Sequence, residues 1–167
     1  MKNGNKGGTA VAEPALFALL RELFESQRSA ALATQQEGQP YLSLMAFAAT
    51  PDLKQLVVAT ERDTRKYANL MAEPRVALLI DNRSNVPSDT EEAVAVTVLG
   101  RASEAQPGET ASLLTLFLAK HPHLETFVSS PTCALITVRV DTYVVVQHFQ
   151  EVRDISMTSK LPDKGRG

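Results

Sequence analysis

The stretch that most constrains this chain runs from Leu56 to Ile80, LVVATERDTRKYANLMAEPRVALLI. Leu56–Thr60 and Arg75–Ile80 are short apolar, β-branched runs suited to buried strands. The residues between them predict a helix, with Asp63 as N-cap, no Gly or Pro from Thr64 to Ala72, and Pro74 as its end. Tyr67, Leu70 and Met71 fall three and four apart and give that helix one apolar stripe. Arg62, Arg65 and Lys66 crowd its first turn, where the helix dipole is already positive and unsatisfied amides point outward. Each such cation is misplaced by about 0.3–1 kcal/mol. A phosphate would repair this, accepting from the helix-start amides and the Arg and Lys side chains, with the Thr60 or Thr64 hydroxyl completing the cradle. On composition alone, the same residues also describe a solvated basic turn partly compensated by Asp63.

The remaining composition narrows the class. At 167 residues the chain suits one domain with a real core, and no composition shift marks a second. An apolar fraction of 44% against 22% charged is that of a soluble globular protein, and a net charge of −2 argues against broad nucleic-acid binding. The single cysteine, Cys133, excludes an internal disulfide or a Cys-based metal cluster within one chain, which suits a reducing cytoplasm. Met1–Glu13 has no apolar h-region, and no apolar run approaches the roughly 18–20 residues that span a bilayer. A cytoplasmic protein with no membrane contact is therefore expected.

Taken in order, residues 1–13 read as a disordered tail, 14–152 as one domain and 153–167 as a loose polar tail. Pro14–Gln27 is helical by the spacing of Leu16, Phe17, Leu20, Leu23 and Phe24. Ala30–Thr34 and Tyr41–Ala49 form a hairpin through Gly38. In the second of these strands Leu42, Leu44 and Ala46 face one side and Tyr41, Ser43, Met45 and Phe47 the other. Neither face carries a charge, so both should be covered. Asn82–Glu92 reads as a flexible loop, Ala93–Ala105 as a strand bent at Gly100, and Glu109–Lys120 as an amphipathic helix. Cys133–Val140 and Thr142–Val152 read as two strands joined tightly near Asp141. Six or seven mostly antiparallel strands with peripheral helices predict a mainly β fold, a small closed barrel.

Ala59-Thr60-Glu61-Arg62-Asp63-Thr64-Arg65-Lys66, then Asn69-Leu70 and Glu73-Pro74-Arg75-Val76-Ala77-Leu78-Leu79, resembles the FMN-binding split-barrel family typified by pyridoxamine 5′-phosphate oxidase. The resemblance covers roughly Leu16 to Val152. It implies a split barrel, a homodimer with two flavin sites between the subunits, and FMN as cofactor. It places Thr60 near the ribityl chain or ring, Thr64, Arg65 and Lys66 around the phosphate, and the Ser43 and Met45 backbone along the ring. The flavin would perform the redox step, and the protein would bind, orient and tune it. The departures matter equally. Ser43 and Ala48 stand where the oxidase has an Arg and a Lys, Ala95 stands where it has a Gln, and the chain has no Trp. Vitamin B6 oxidation is therefore not expected.

Other chemistry is thinly represented. No GxSxG, HExxH, CxxC or strand-following GxGxxG is present. His121 and His123 read as exposed polar loop residues rather than metal ligands, and no metal is expected. His148 reads as a strand histidine, with axial haem ligation as the sharper alternative. Cys133 reads as a small buried hydrophobe. No catalytic residue is identifiable. Three functions follow: an FMN-dependent oxidoreductase acting on an unknown small substrate, a flavin carrier or sensor without turnover, or a haem-handling protein. A deazaflavin is a further cofactor option.

Overall fold

The computed structural model of the chain describes residues 13–148 and 151–158. Helix α1 (Glu13–Ser26) leads into the hairpin of β1 (Ser29–Gln36) and β2 (Gln39–Ala49), then β3 (Gln55–Glu61), α2 (Arg65–Ala72) and β4 (Arg75–Asp81). A single helical turn, α3 (Asp89–Glu92), precedes β5 (Ala95–Glu104) and α4 (Thr110–Lys120). A 3-10 turn at Pro122–Leu124 and α5 (Glu125–Val128) then lead to β6 (Cys133–Gln147) and β7 (Glu151–Ser156).

The strands are antiparallel in the order β3-β2-β1-β4-β5-β6-β7, and β3 also pairs with β6. That extra pairing closes the first six strands into a barrel and removes their edges, as the sequence predicts. The two-residue β1–β2 turn places Glu37 and Gly38 at φ values of 52° and 80°, which Gly38 accepts without strain.

The C-terminal strands differ from expectation. Instead of two strands turning at Asp141, β6 is one strand of 15 residues. Its pairing with β5 shifts there: Leu99 faces Thr142 and Gly100 faces Val140, leaving Asp141 as a bulge. A lone Asp among β-branched residues cannot reverse the chain, and β5 runs on opposite both halves of β6. A Cβ on Gly100 would lie 2.3 Å from the Arg139 carbonyl oxygen, so glycine permits the close approach. Strand β7 pairs through Ser156, so Arg153–Ser156 belong to the sheet rather than to a loose tail. The expected N-terminal tail lies outside the described residues except for Glu13, which opens α1. Residues 159–167 also lie outside them. Within the expected loop Asn82–Glu92, α3 forms, and the Asp89 carboxylate accepts from the Ser84 and Val86 N–H groups.

Inward side chains such as Leu32, Phe47, Leu56, Leu78, Val98 and Ile136 fill the barrel. Helix α1 buries Leu16, Leu20, Leu23 and Phe24 against one end, with the Phe24 ring edge-on to Phe47 at 5.7 Å. Helix α2 rests on β1 toward the hairpin end, where Asn69 Nδ2 donates to Thr34 Oγ1 at 3.0 Å. Helix α4 covers the outer side of β2 and β3, packing Leu113 and Phe117 on Ala48, Val57 and Ala59. Strand β3 is consequently buried on both faces from Leu56 to Thr60.

The other half of the outer wall is bare. Leu44, Ala31, Leu79 and Thr97 lie opposite one another across four strands, and Leu42, Ala33, Ala77 and Leu99 form the adjacent row. Leu42 is 68% and Leu44 79% exposed. The alternation expected along β2 is present, but within one chain its outer face is covered only toward Ala48, under α4, and is bare at Leu42 and Leu44.

Candidate functional site

The corner between β3 and α2 begins with a correction to its cap. Thr64, not Asp63, is the N-cap of α2, its extended backbone (φ −92°, ψ 151°) letting Oγ1 accept from the Tyr67 N–H at 3.3 Å. The Thr64 hydroxyl donates to the Glu61 carbonyl at 2.8 Å, and the buried Thr60 hydroxyl lies 3.0 Å from it. These two hydroxyls stitch the end of β3 to the helix start. Arg65 and Lys66 are then the first two residues of α2, and their backbone N–H groups have no intrahelical acceptor.

The three cations of the sequence motif separate in space. Arg62 turns away: its guanidinium pairs with Glu104 and donates to the Pro131 and Cys133 carbonyls at 3.0 and 2.9 Å. Tyr67 Oη adds a 3.0 Å bond to the same carboxylate, and Arg62 beside it holds the Glu104 carboxyl below its usual range. Arg62 is thus a tie between β3, β5 and the turn before β6. Arg65 has no such carboxylate. Its guanidinium carbon lies 4.8 Å from the centroid of the Tyr41 ring, a cation–π contact that holds it over the start of β2. Lys66 has no ion-pair or hydrogen-bond partner among the described residues. The first turn of α2 contains no acidic residue. An anionic group fits this donor set: two cationic residues and two N–H groups without an intrahelical acceptor belong to one helix start.

Tyr41, under Arg65, lies on the barrel-facing side of β2 and alternates with the exposed Leu42. Ser43 and Met45 stand differently from the corner residues. They alternate with the exposed leucines on the barrel side, and Met45 is in the core at 6% exposure. From these positions only backbone can meet a ligand on the outer wall. Thr60, Thr64, Arg65 and Lys66 do come together.

Other candidates are placed as follows. His121 is not an exposed loop residue but is buried at the C-cap of α4, where its Nε2 donates to the Phe47 carbonyl at 2.8 Å. Burial, foremost, holds its pKa below the ordinary histidine value. His123 is exposed. His148 is not on a strand: it sits in the β6–β7 turn with φ 46°, its imidazole largely exposed and 3.8 Å from Glu151 Oε2. Cys133 is half-buried, and burial pushes its thiol up, which disfavours a nucleophilic role. No group of His, Cys, Asp or Glu suited to a metal ion occurs among the described residues. None of their helices is long and apolar enough to cross a membrane.

Sequence reasoning missed three residues at the corner. Tyr41 steadies Arg65, and Glu104 removes Arg62 from the cation cluster. Asn69 is fully buried, and its Oδ1 is the buried side-chain atom without a partner among the described residues. Only Asn69 had a local signal, its place beside Leu70 on the helix. Met71, expected in the apolar stripe, is instead 45% exposed.

Comparison with known proteins agrees with this architecture. A family model described as pyridoxamine 5′-phosphate oxidase matches residues 16–154. No curated protein matches the sequence. Among solved structures, a haem-binding protein from Mycobacterium smegmatis shares 19% identity at a TM-score of 0.77, over 87% of this chain and 60% of that one. This chain thus spans about three fifths of that protein. General Stress Protein 26 from Bacillus anthracis shares 19% identity at a TM-score of 0.63, over 85% of this chain and 98% of that one. A FAD-binding protein from Mesorhizobium loti shares 17% identity at a TM-score of 0.62, over 77% and 90%. At these identities the structural matches speak to the fold, and the family model, which spans most of the sequence, speaks to descent. The chain belongs to the pyridoxamine 5′-phosphate oxidase family.

Proposed function

We propose that the chain binds FMN at the β3–α2 corner and acts as a flavin-dependent oxidoreductase on a small substrate. The phosphate is held by Arg65, Lys66 and the free N–H groups of the α2 start, while Thr60 and Thr64 shape the loop beneath it. The observation that carries this reading is the sorting of the cations. Glu104 neutralises Arg62, whereas Arg65 and Lys66 stand at the positive end of a helix whose first turn holds no acidic residue, and they form no ion pair among the described residues. When bound, FMN supplies the electron transfer, and this chain's residues bind it, orient it and exclude water from it.

In this reading the second covering layer for the outer wall is another copy of the chain. Two copies meeting through the Leu42 and Leu44 rows form a two-fold, self-complementary interface that buries both sets of leucines. The flavin ring then lies between subunits, against the β2 backbone at Ser43 and Met45. The exposed position of His148 gives haem ligation little support. A flavin carrier without turnover uses the same grip, and a substrate-sized opening beside the ring separates enzyme from carrier.

The test is the visible spectrum of the purified protein before and after FMN addition, with the released chromophore identified by mass. A flavin spectrum with FMN released supports the reading. A protein that ignores FMN and develops a Soret band with haem refutes it.

A further inference from the structure

A cavity of about 450 Å³ lies between the C-terminal ends of α1 and α4 and the β2–β3 turn, and none of Thr60, Thr64, Arg65 and Lys66 lines it. Phe24, Ala48 and Leu53 line it with buried apolar surface, and Leu116 and Ala119 add to it from α4. Its size falls in the range of small-molecule sites. Three charged residues reach it: Arg21, Glu25 and Lys120.

Lys120 is the anomaly. Its ammonium donates to the Phe24 carbonyl at 2.6 Å and sits 3.8 Å over the centroid of the Phe47 ring. It forms no ion pair with Glu25 or with any other carboxylate among the described residues. The neighbouring charge is of the same sign, Arg28, whose guanidinium donates to the Lys120 carbonyl at 3.1 Å. Burial, and then Arg28, lower the amine to about 8. A half-buried cation beside an apolar cavity, unpaired and repelled by its neighbour, is stabilised by an incoming anion.

Backbone strain marks the same place. Leu53 is buried yet adopts φ 58°, a left-handed conformation that costs a non-glycine residue about 1–2 kcal/mol. It is held there by its N–H bond to the Thr50 carbonyl at 2.8 Å and by Tyr143 Oη, which donates to the Leu53 carbonyl at 2.6 Å. A left-handed residue is also what a short turn between antiparallel strands uses at its last position. Here it points an apolar side chain into the wall of the cavity rather than leaving a relaxed turn.

We propose that this cavity binds a small amphiphile with one carboxylate, its apolar body against Phe24, Leu53 and Leu116 and its carboxylate on Lys120 and Arg21. The site is independent of the flavin corner, none of whose four residues lines it. It is tested on the full chain by calorimetric titration with decanoate below its micellar concentration and with decanol below its solubility limit. Decanoate is expected to bind about tenfold more tightly than decanol, and Lys120→Met removes that preference. Ala119→Phe, at an exposed position of α4 that leaves Lys120 in place, abolishes binding of both while the circular dichroism stays unchanged. Equal affinities in the wild type, or no binding, overturn the proposal. Decanoate binding that survives Ala119→Phe also overturns it, placing the amphiphile elsewhere, for instance on the leucine wall. A change of oligomeric state in Ala119→Phe overturns it by assigning the cavity to a subunit contact.

Discussion

Replacing Arg65 and Lys66 together by alanine separates a phosphate grip from a basic turn, because the two readings predict different signs. If each side chain donates a charge-assisted hydrogen bond to a phosphate, each contributes about 1.5–3 kcal/mol of binding. Their joint loss is then about 3–6 kcal/mol, which weakens FMN by about 10²- to 10⁴-fold. For the flavin-free protein the arithmetic runs the other way. Each cation at the helix start costs about 0.3–1 kcal/mol against the dipole. Losing the Arg65–Tyr41 contact, 4.8 Å from guanidinium carbon to ring centroid, removes about 0.5–1 kcal/mol of stabilisation. The double variant should therefore unfold close to the wild-type midpoint, between a loss of about 0.4 and a gain of about 1.5 kcal/mol. The assay is fluorescence titration with FMN and with riboflavin, which lacks the phosphate, alongside thermal unfolding without flavin. The wild type should prefer FMN strongly, and the variant should bind both alike. Unchanged FMN affinity refutes the corner assignment. A lowered melting temperature with proportional loss of both ligands refutes the assignment of these cations to binding rather than to the fold. Arg62→Ala is the matched control: it breaks the ties to Glu104 and to the Pro131 and Cys133 carbonyls, so it should lower the melting temperature while preserving the preference for FMN.

Leu44→Glu, at a position 79% exposed in the single chain, should convert a dimer to a monomer in analytical ultracentrifugation with the melting curve still cooperative. A variant that sediments like the wild type would remove the leucine wall from the interface. Gly100→Ala forces a Cβ against the Arg139 carbonyl and should cost about 1–3 kcal/mol in urea unfolding. Stability unchanged by that methyl would mean the bulge is not tightly held. His121 has its folded pKa lowered, so the unfolded chain binds the extra proton first; the stability it supports is present above about pH 6.5 and is lost as pH falls. Urea midpoints at pH 7.5 and 5.5 should therefore differ less in His121→Gln, whose amide can still donate to Phe47, than in the wild type, and an equal pH dependence would count against it.

The sequence patterns that proved informative were those with a short period. Alternation along Tyr41–Ala49 located both faces of β2, and the three- and four-residue spacing in α1 identified its four buried residues. Glycine was informative too, at the hairpin and at Gly100, opposite the β6 bulge. What the sequence hid were choices decided by distant partners. Asp63 and Thr64 are both competent caps. Thr64 takes the role because its hydroxyl also meets Glu61 and Thr60, while the Arg62 N–H is anchored to the Thr132 carbonyl. His121 looks solvated beside Pro122 and His123, yet its acceptor at Phe47 lies 74 residues earlier in the chain. Asn69 occupies the buried arc expected for Met71 because Thr34 offers its amide a partner inside. At the candidate site the residue types were legible, whereas the separation of Arg62 from Arg65 and Lys66 required Glu104, on a strand that closes against β3 only through β6.

The distribution of ion pairs links the two ends of the barrel. Arg62, Arg75 and Arg83 are each matched with a carboxylate, on Glu104, Glu73 and Asp81. These pairs border strand ends and turns, where they fix connections between elements. Arg65 and Lys66 at the α2 start and Lys120 beside the α1–α4 cavity lack such partners, and all three lie where the surroundings disfavour positive charge. At α2 the opposing field is the helix dipole, and at Lys120 it is burial together with Arg28. At these two places the cations have no carboxylate partner among the described residues, although Glu25 also lines the cavity, and an anion from outside the chain can take that role. The two sites differ in what they ask of the anion. The corner offers several donors at one helix start, which suits a phosphate. The cavity offers an apolar enclosure with cations at its edge, which suits a carboxylate on a compact hydrocarbon.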